Sequence, residues 1–193
     1  MGRQSSMLYR IAQYQQKSFS AFANHRDTED NLEETPFELT QESYDAINEL
    51  LKRYPDNYKC SAVLPALFVV QKQNDNFLTL SAMNKVAKML EMTPMQVYEV
   101  ASFFTMFNRT KLGKYHLQVC GTTPCLIRGA DKIIQAIKDF ADIDHEETSA
   151  DGLFHLSEVE CLGACVNAPM IQVNNEWFYE DLTYESMQDL MQQ

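Results

Sequence analysis

Residues 115–125 read YHLQVCGTTPC. Tyr115, Leu117 and Val119 alternate with His116 and Gln118, the period-2 pattern of a strand with one buried face. The strand ends at Cys120, and a loop carries the chain to Cys125, so the first cysteine pair is spaced C-x4-C. Residues 154–165, FHLSEVECLGAC, repeat the arrangement. Phe154–Val159 reads as a second strand, and Cys161 and Cys165 follow it as C-x3-C. Loops at two strand ends can converge and present four thiolates to one centre.

Outward from these loops the signals stay short and regular. Ala130, Ile133, Ile134, Ile137 and Phe140 recur at helical spacing between the two strands. Met170–Val173 and Trp177–Tyr179 flank Asn174-Asn175, which predicts a hairpin. Thr183 caps a closing helix with Tyr184, Met187 and Met191 turned inward. The order β-α-β-β-β-α suits a small α/β domain over 111–193. Upstream, Thr40 caps a helix carrying Tyr44, Ile47, Leu50 and Leu51, which Tyr54-Pro55 ends because the residue before proline resists the αR region. Residues 60–73 are too apolar all round for a surface helix and predict a buried one, with Pro65 kinking it or lying in its first turn. Ser81 is expected to cap 82–91. Thr93-Pro94-Met95-Gln96 is a capping box with proline at N1, opening a helix to about Ser102. Four short helices predict a small bundle within 37–110. The fold class is therefore α+β, a helical bundle followed by the cysteine-bearing domain.

The chain has 193 residues, 45% of them hydrophobic, which excludes an intrinsically disordered polymer. A net charge of −11 argues against nucleic-acid binding, which needs a basic footprint. No run of eighteen apolar residues offers a membrane span. The charge is unevenly placed. Residues 1–26 hold Arg3, Arg10, Lys17 and Arg26 and no acid, whereas all 27 acids lie beyond them. Wound as a helix, Arg3, Arg10 and Lys17 form one stripe opposite Leu8, Ile11, Ala12, Phe19 and Phe22. A basic, acid-free, serine-bearing amphipathic segment predicts a mitochondrial transit peptide over 1–26, removed between about Phe19 and Asp30. Residues 27–36, polar and acidic, are expected to be a linker.

The cysteines number five: 60, 120, 125, 161 and 165. Cys60 lies in an apolar stretch and is expected to be a core residue, since buried free cysteine behaves as a small hydrophobe. Neither pair has the C-x-x-C spacing of a thioredoxin-type dithiol. Spacing alone leaves open a four-cysteine zinc site and a [2Fe–2S] cluster, because both use closed shells of four cysteines. A Rieske centre needs two histidine ligands, and His25, His116, His145 and His155 all lie outside the cysteine loops. Gly121 and Gly163 are expected to supply backbone conformations closed to other residues and to bring N–H groups to sulfur. Leu162, Ala164 and Val166 are expected to shield the centre from water. The six glycines form neither G-x-G-x-x-G nor a P-loop, so no nucleotide site is legible.

Several blocks together resemble a known family. Ala62-Val-Leu-Pro, Ser81-Ala-Met-Asn-Lys-Val-Ala, Val97-Tyr-Glu-Val-Ala-Ser-Phe-Phe-Thr-Met-Phe107, Cys120-Gly-Thr-Thr-Pro-Cys125 and Glu158-Val-Glu-Cys-Leu-Gly-Ala-Cys-Val-Asn-Ala-Pro-Met170 are similar to the NuoE-type [2Fe–2S] subunit (flavoprotein 2) of mitochondrial and bacterial complex I. The resemblance covers about 37–185. It implies a thioredoxin-like [2Fe–2S] ferredoxin domain, with Cys120, Cys125, Cys161 and Cys165 as ligands of one cluster, which decides iron–sulfur over zinc. It also implies a cis Ala168–Pro169 bond, as thioredoxin-like domains often carry before the corresponding strand. The implied partner is the NuoF-type flavoprotein subunit that binds NADH and FMN, within multi-subunit complex I on the matrix side of the mitochondrial inner membrane. The contact is expected around Tyr98, Phe103, Phe104, Met106 and Phe107. Many mitochondrial members carry a longer C-terminal tail, and its contacts are not carried over. The same module in a hydrogenosomal or hydrogenase-type diaphorase is the runner-up, and a zinc-bound structural adaptor is the alternative of another class.

Overall fold

The computed structural model describes residues 27–32 and 34–192; the expected transit segment therefore lies outside the described residues. Among the described residues, seven α-helices and one four-stranded sheet surround two hydrophobic cores. The first core belongs to helices α1 (Gln41–Leu51), α2 (Val63–Gln73), α3 (Leu80–Met89) and α4 (Pro94–Phe103), with a 3₁₀ segment at Asp56–Ala62. Thr40 caps α1 as expected, its hydroxyl accepting from the Ser43 N–H, an arrangement worth about 1 kcal/mol. At α4 the Gln96 side chain accepts from the Thr93 N–H, the reciprocal half of a capping box.

Three local expectations are corrected. Helix α3 starts at Leu80, and Thr79, not Ser81, caps it by accepting from the Ala82 N–H. Both hydroxyls precede the apolar face, but Thr79 alone holds the extended backbone that a cap requires. The apolar stretch 60–73 is not one helix. It begins as the end of the 3₁₀ segment, and α2 then buries Val63, Ala66, Leu67 and Val70, with Pro65 inside the first turn. In the 3₁₀ segment Ala62 turns inward and Cys60 outward, so Cys60 is exposed and not a core residue.

The second core is built on the sheet β1 (Tyr115–Cys120), β2 (Phe154–Val159), β3 (Ile171–Val173) and β4 (Trp177–Tyr179), in the order β2-β1-β3-β4. β1 pairs parallel with β2 and antiparallel with β3, and β3 pairs antiparallel with β4. Asn174 and Asn175 both adopt positive φ in the hairpin turn, as the sequence predicts. Helices α5 (Thr123–Ile127) and α6 (Ala130–Ala141) cross from β1 to β2, and α7 (Tyr184–Met191) closes the chain against α6. Ile133, Ala136 and Ile137 of α6 and Met187 and Met191 of α7 bury against Leu117, Val119 and Leu156.

β1 departs from simple alternation. His116 and Gln118 are buried along with Leu117 and Val119, because the second face of the sheet is covered too. A run of amides joins the two cores there. The buried Gln71 of α2 donates to the Met106 carbonyl and accepts from the Asn108 N–H at 2.8 Å. Asn175 of the hairpin also donates to the Met106 carbonyl, and Gln118 donates to Asn175. Residues 27–32 are fastened as well: Asn31 is buried, and its side chain accepts from the Leu80 N–H at 2.8 Å, serving an otherwise unpaired donor at the start of α3.

Candidate metal centre

Parallel pairing of β1 with β2 puts the C-terminal ends of both strands at one edge, with Cys120 opposite Val159. Cys120 closes β1, and Cys125 lies one helical turn on in α5; both are buried to 1% exposure. Cys161 follows β2 after one residue, and Cys165 opens a 3₁₀ turn, Cys165–Asn167; both are exposed. The four cysteines named from the sequence therefore come together at one end of the sheet, while Cys60 stands in the helical part.

The thiols associate in two pairs. Cys161 and Cys165 hold their sulfurs 3.5 Å apart. Cys120 and Cys125 are near enough to shift one another's ionisation, and Cys165 is near enough to both for charge to be felt across the gap. Two thiolates sharing one tetrahedral ion, with metal–sulfur bonds of about 2.3 Å, would lie roughly 3.7 Å apart. Among the described residues no group of three or more His, Cys, Asp or Glu is placed to hold a single ion. Four cysteines at one end of the sheet are a donor set that a thiolate-held cluster can use.

The backbone serves these sulfurs across the loops. Burial by itself pushes the Cys120 thiol up, but the Thr122 hydroxyl and N–H and the Leu162 N–H outweigh it and hold the thiol below its ordinary range. Cys125 is pushed up to about 11, by burial first and then by Cys120, although the Met170 N–H opposes the shift. Cys165 is also raised, chiefly by its hydrogen bond with Cys161. Donors from the second cysteine loop and its exit, Leu162 and Met170, thus reach the sulfurs of the first loop. Such donors offset the negative charge of a thiolate-held cluster. The loops are braced at their exits. The Cys120 N–H reaches the Met170 carbonyl, the Gly121 N–H reaches the Val159 carbonyl, and Arg128 Nε donates to the Ala168 carbonyl at 3.2 Å. Ala168–Pro169 is cis, as the resemblance implies.

Two expectations from the sequence are corrected here, and three residues escaped it. Gly163 has φ +87°, as expected, but Gly121 does not lie in the left-handed region; the Glu158 side chain packs where its Cβ would be. Leu162 and Ala164 pack against the core, but Val166 is 96% exposed and shields nothing within this chain. Thr122, Arg128 and Glu158 are the residues that sequence reasoning missed. The hydroxyl beside Cys120 was visible in the C-x4-C loop, whereas the reach of Arg128 and Glu158 depends on tertiary geometry that no local pattern encodes.

A family model described as thioredoxin-like [2Fe–2S] ferredoxin matches residues 47–193. The NADH dehydrogenase [ubiquinone] flavoprotein 2, mitochondrial, of Dictyostelium discoideum is 50% identical over 173 residues, covering 90% of this chain and 70% of that protein. A subunit of the NADH-quinone oxidoreductase of Rickettsia typhi is 48% identical over 157 residues, covering 81% of this chain and 92% of that one. Among solved structures, the NAD+-reducing [NiFe]-hydrogenase in its air-oxidized state shares the fold with a TM-score of 0.58 at 18% identity. That match takes in 68% of this chain and 22% of the hydrogenase chain.

Proposed function

The chain belongs to the thioredoxin-like [2Fe–2S] ferredoxin family, and from that premise we propose that it is the one-electron subunit of the NADH dehydrogenase module of respiratory complex I. Its single [2Fe–2S] cluster would be held by Cys120, Cys125, Cys161 and Cys165. The observation that carries the reading is the meeting of those four thiols, in two pairs, where β1 and β2 end side by side.

The cluster takes up or releases one electron at a time. This chain's own residues hold the sulfurs, keep Cys120 and Cys125 away from water, and aim N–H donors at the charge. NADH delivers a hydride, which is two electrons at once, so a flavin must stand between the two carriers. FMN and NADH belong on a NuoF-type partner in this reading, and the cluster would lie near that flavin. The mitochondrial relative supports a mitochondrial location, with the matrix side of the inner membrane as the place of assembly. No helix among the described residues is long and apolar enough to cross a membrane. We assign residues 1–26 to the transit peptide, 27–36 to a linker docked on the helices, 37–110 to the helical domain and 111–193 to the cluster domain.

The experiment is direct. Native protein should contain two irons and two sulfides per chain and give a rhombic EPR signal on one-electron reduction. Replacing Cys120, Cys125, Cys161 or Cys165 by Ala should abolish or cripple the signal, whereas Cys60→Ser should leave it whole. One stoichiometric zinc without iron would overturn the assignment. The diaphorase alternative is separated by what co-purifies with the tagged chain from its own cells: complex I subunits or a soluble hydrogenase or diaphorase.

A further inference from the structure

Thr122 occupies the N-cap position of α5, yet its hydroxyl makes no cap hydrogen bond. It lies instead 3.1 Å from the Cys120 sulfur. A threonine at an N-cap ordinarily spends its hydroxyl on the N–H of N2 or N3, which stabilises the helix by about 1 kcal/mol. Here the side chain is turned to sulfur, in a part-buried site where a hydrogen bond is less weakened by water. Between a thiol and a hydroxyl either atom can donate. A thiolate bound to iron has no proton, so the hydroxyl then has to be the donor.

We infer that Thr122 is a positioning residue that sets the readiness of the cluster to accept an electron, acting through the Cys120 sulfur. The inference rests on the ligand assignment proposed above. Reduction adds one electron and one negative charge to the cluster, with no bond made or broken and no proton required. A donor aimed at a ligand sulfur stabilises the more negative state more than the less negative one, and so raises the midpoint potential. The N–H groups of Thr122 and Leu162 reach the same sulfur from the backbone, where substitution cannot remove them. The hydroxyl is the side-chain donor that mutation can take away.

The test is a redox titration followed by EPR on the purified full chain, comparing wild type with Thr122→Val and Thr122→Ser. Valine keeps the shape and deletes the donor; serine keeps the donor and deletes the methyl. Thr122→Val should lower the reduction equilibrium constant by about threefold to tenfold, tenfold being about 59 mV for a one-electron couple. Thr122→Ser should titrate with wild type. Thermal stability should stay close to wild type in both, because no helix cap is lost. A Thr122→Val midpoint equal to wild type with full iron content overturns the inference. So does a Thr122→Ser midpoint that falls with valine, since the methyl would then be responsible. Failure of the ligand assignment looks different: the iron content and EPR signal of a Cys120→Ala protein would survive intact.

Discussion

Glu158 lies over Gly121 so closely that a Cβ on the glycine would fall 2.6 Å from Glu158 Cδ and closer still to its Oε1. The two residues come from the ends of different strands, and the parallel register between β1 and β2 brings them together. Gly121 follows one proposed ligand, and Glu158 stands three residues before another, so this contact lies between the starts of the two cysteine loops.

The first prediction follows from that contact. Gly121→Ala should destabilise the protein by about 1–2 kcal/mol, the lower part of the roughly 1–3 kcal/mol typical of overpacking, because the obstacle is a side chain that can swing aside. Removing the obstacle should remove most of the cost, so Glu158→Ala should be epistatic to it. Denaturant midpoints for the two single variants and the double variant complete the cycle. Additive effects would show that the clash is not the reason for glycine here.

Gly163 presents the opposite case. Its φ is +87°, and nothing lies within 4 Å of the position its Cβ would take. The cost of Gly163→Ala is then backbone strain alone, roughly 1–2 kcal/mol. Asparagine tolerates the left-handed region better than alanine does, so Gly163→Asn should be milder. Because the turn spaces Cys161 from Cys165, the alanine variant should also lose iron faster to a chelator than wild type. Equal stability of the Ala and Asn variants would contradict this reading.

Much of the cluster domain was legible because its signals are local. Period-2 alternation marked β1 and β2, Asn174-Asn175 marked the hairpin, and the cysteine spacings marked the loops. What escaped depends on contacts between distant segments. The exposure of Cys60 follows from a 3₁₀ turn inside an apolar run, which composition alone does not distinguish from helix. The burial of Gln118 follows from amides of α2 and the hairpin that close over the outer face of the sheet, and His116 is buried against Ser157 and His155 of β2. Asn31 looked like linker and is a buried cap, because a single polar side chain met an unpaired N–H at the start of α3. Val166 looked like a shield and is exposed instead.

His116 gives a prediction in pH. Its pKa is lowered to about 4, by burial first and then by repulsion from His155 on β2. The residue is 5% exposed, its Nε2 meets Ser157, and its Nδ1 has no hydrogen-bond partner. Glu146 and Arg109 line the same cleft and add charges of both signs. Between pH 6.5 and about 4 the unfolded chain binds a proton at this position that the folded chain refuses. Stability is therefore complete above pH 6.5 and falls as pH drops toward 4, by up to about 3 kcal/mol from this group. His116→Gln should flatten that part of the profile. Chemical denaturation across about pH 4–7 checks it, and parallel profiles for the two proteins would contradict it.

The partner contact gives the last prediction. Of the aromatic residues expected at the interface, Phe107 is buried in the helical core and Phe104 packs partly against it, so these serve the fold. Tyr98 is likewise engaged, its hydroxyl donating to Asn84. Phe103 differs: it is 78% exposed at the end of α4, and Met95 at the start of the same helix is 63% exposed. Large apolar side chains held in water by a short, well-capped helix are typical anchors for a second protein. Replacing Phe103 by Glu should therefore cost the folded chain little, because most of that side chain is exposed, yet it should place a charge where a desolvated contact is expected. The variant should lose most of its co-purifying flavoprotein while its EPR signal and thermal stability match wild type. Met95→Glu should weaken the association in the same direction. If both variants retain the flavoprotein at wild-type stoichiometry in washed pull-downs, the contact lies elsewhere, and the exposed aliphatic rim of Leu126, Ile127 and Val166 beside the cysteine loops becomes the surface to test.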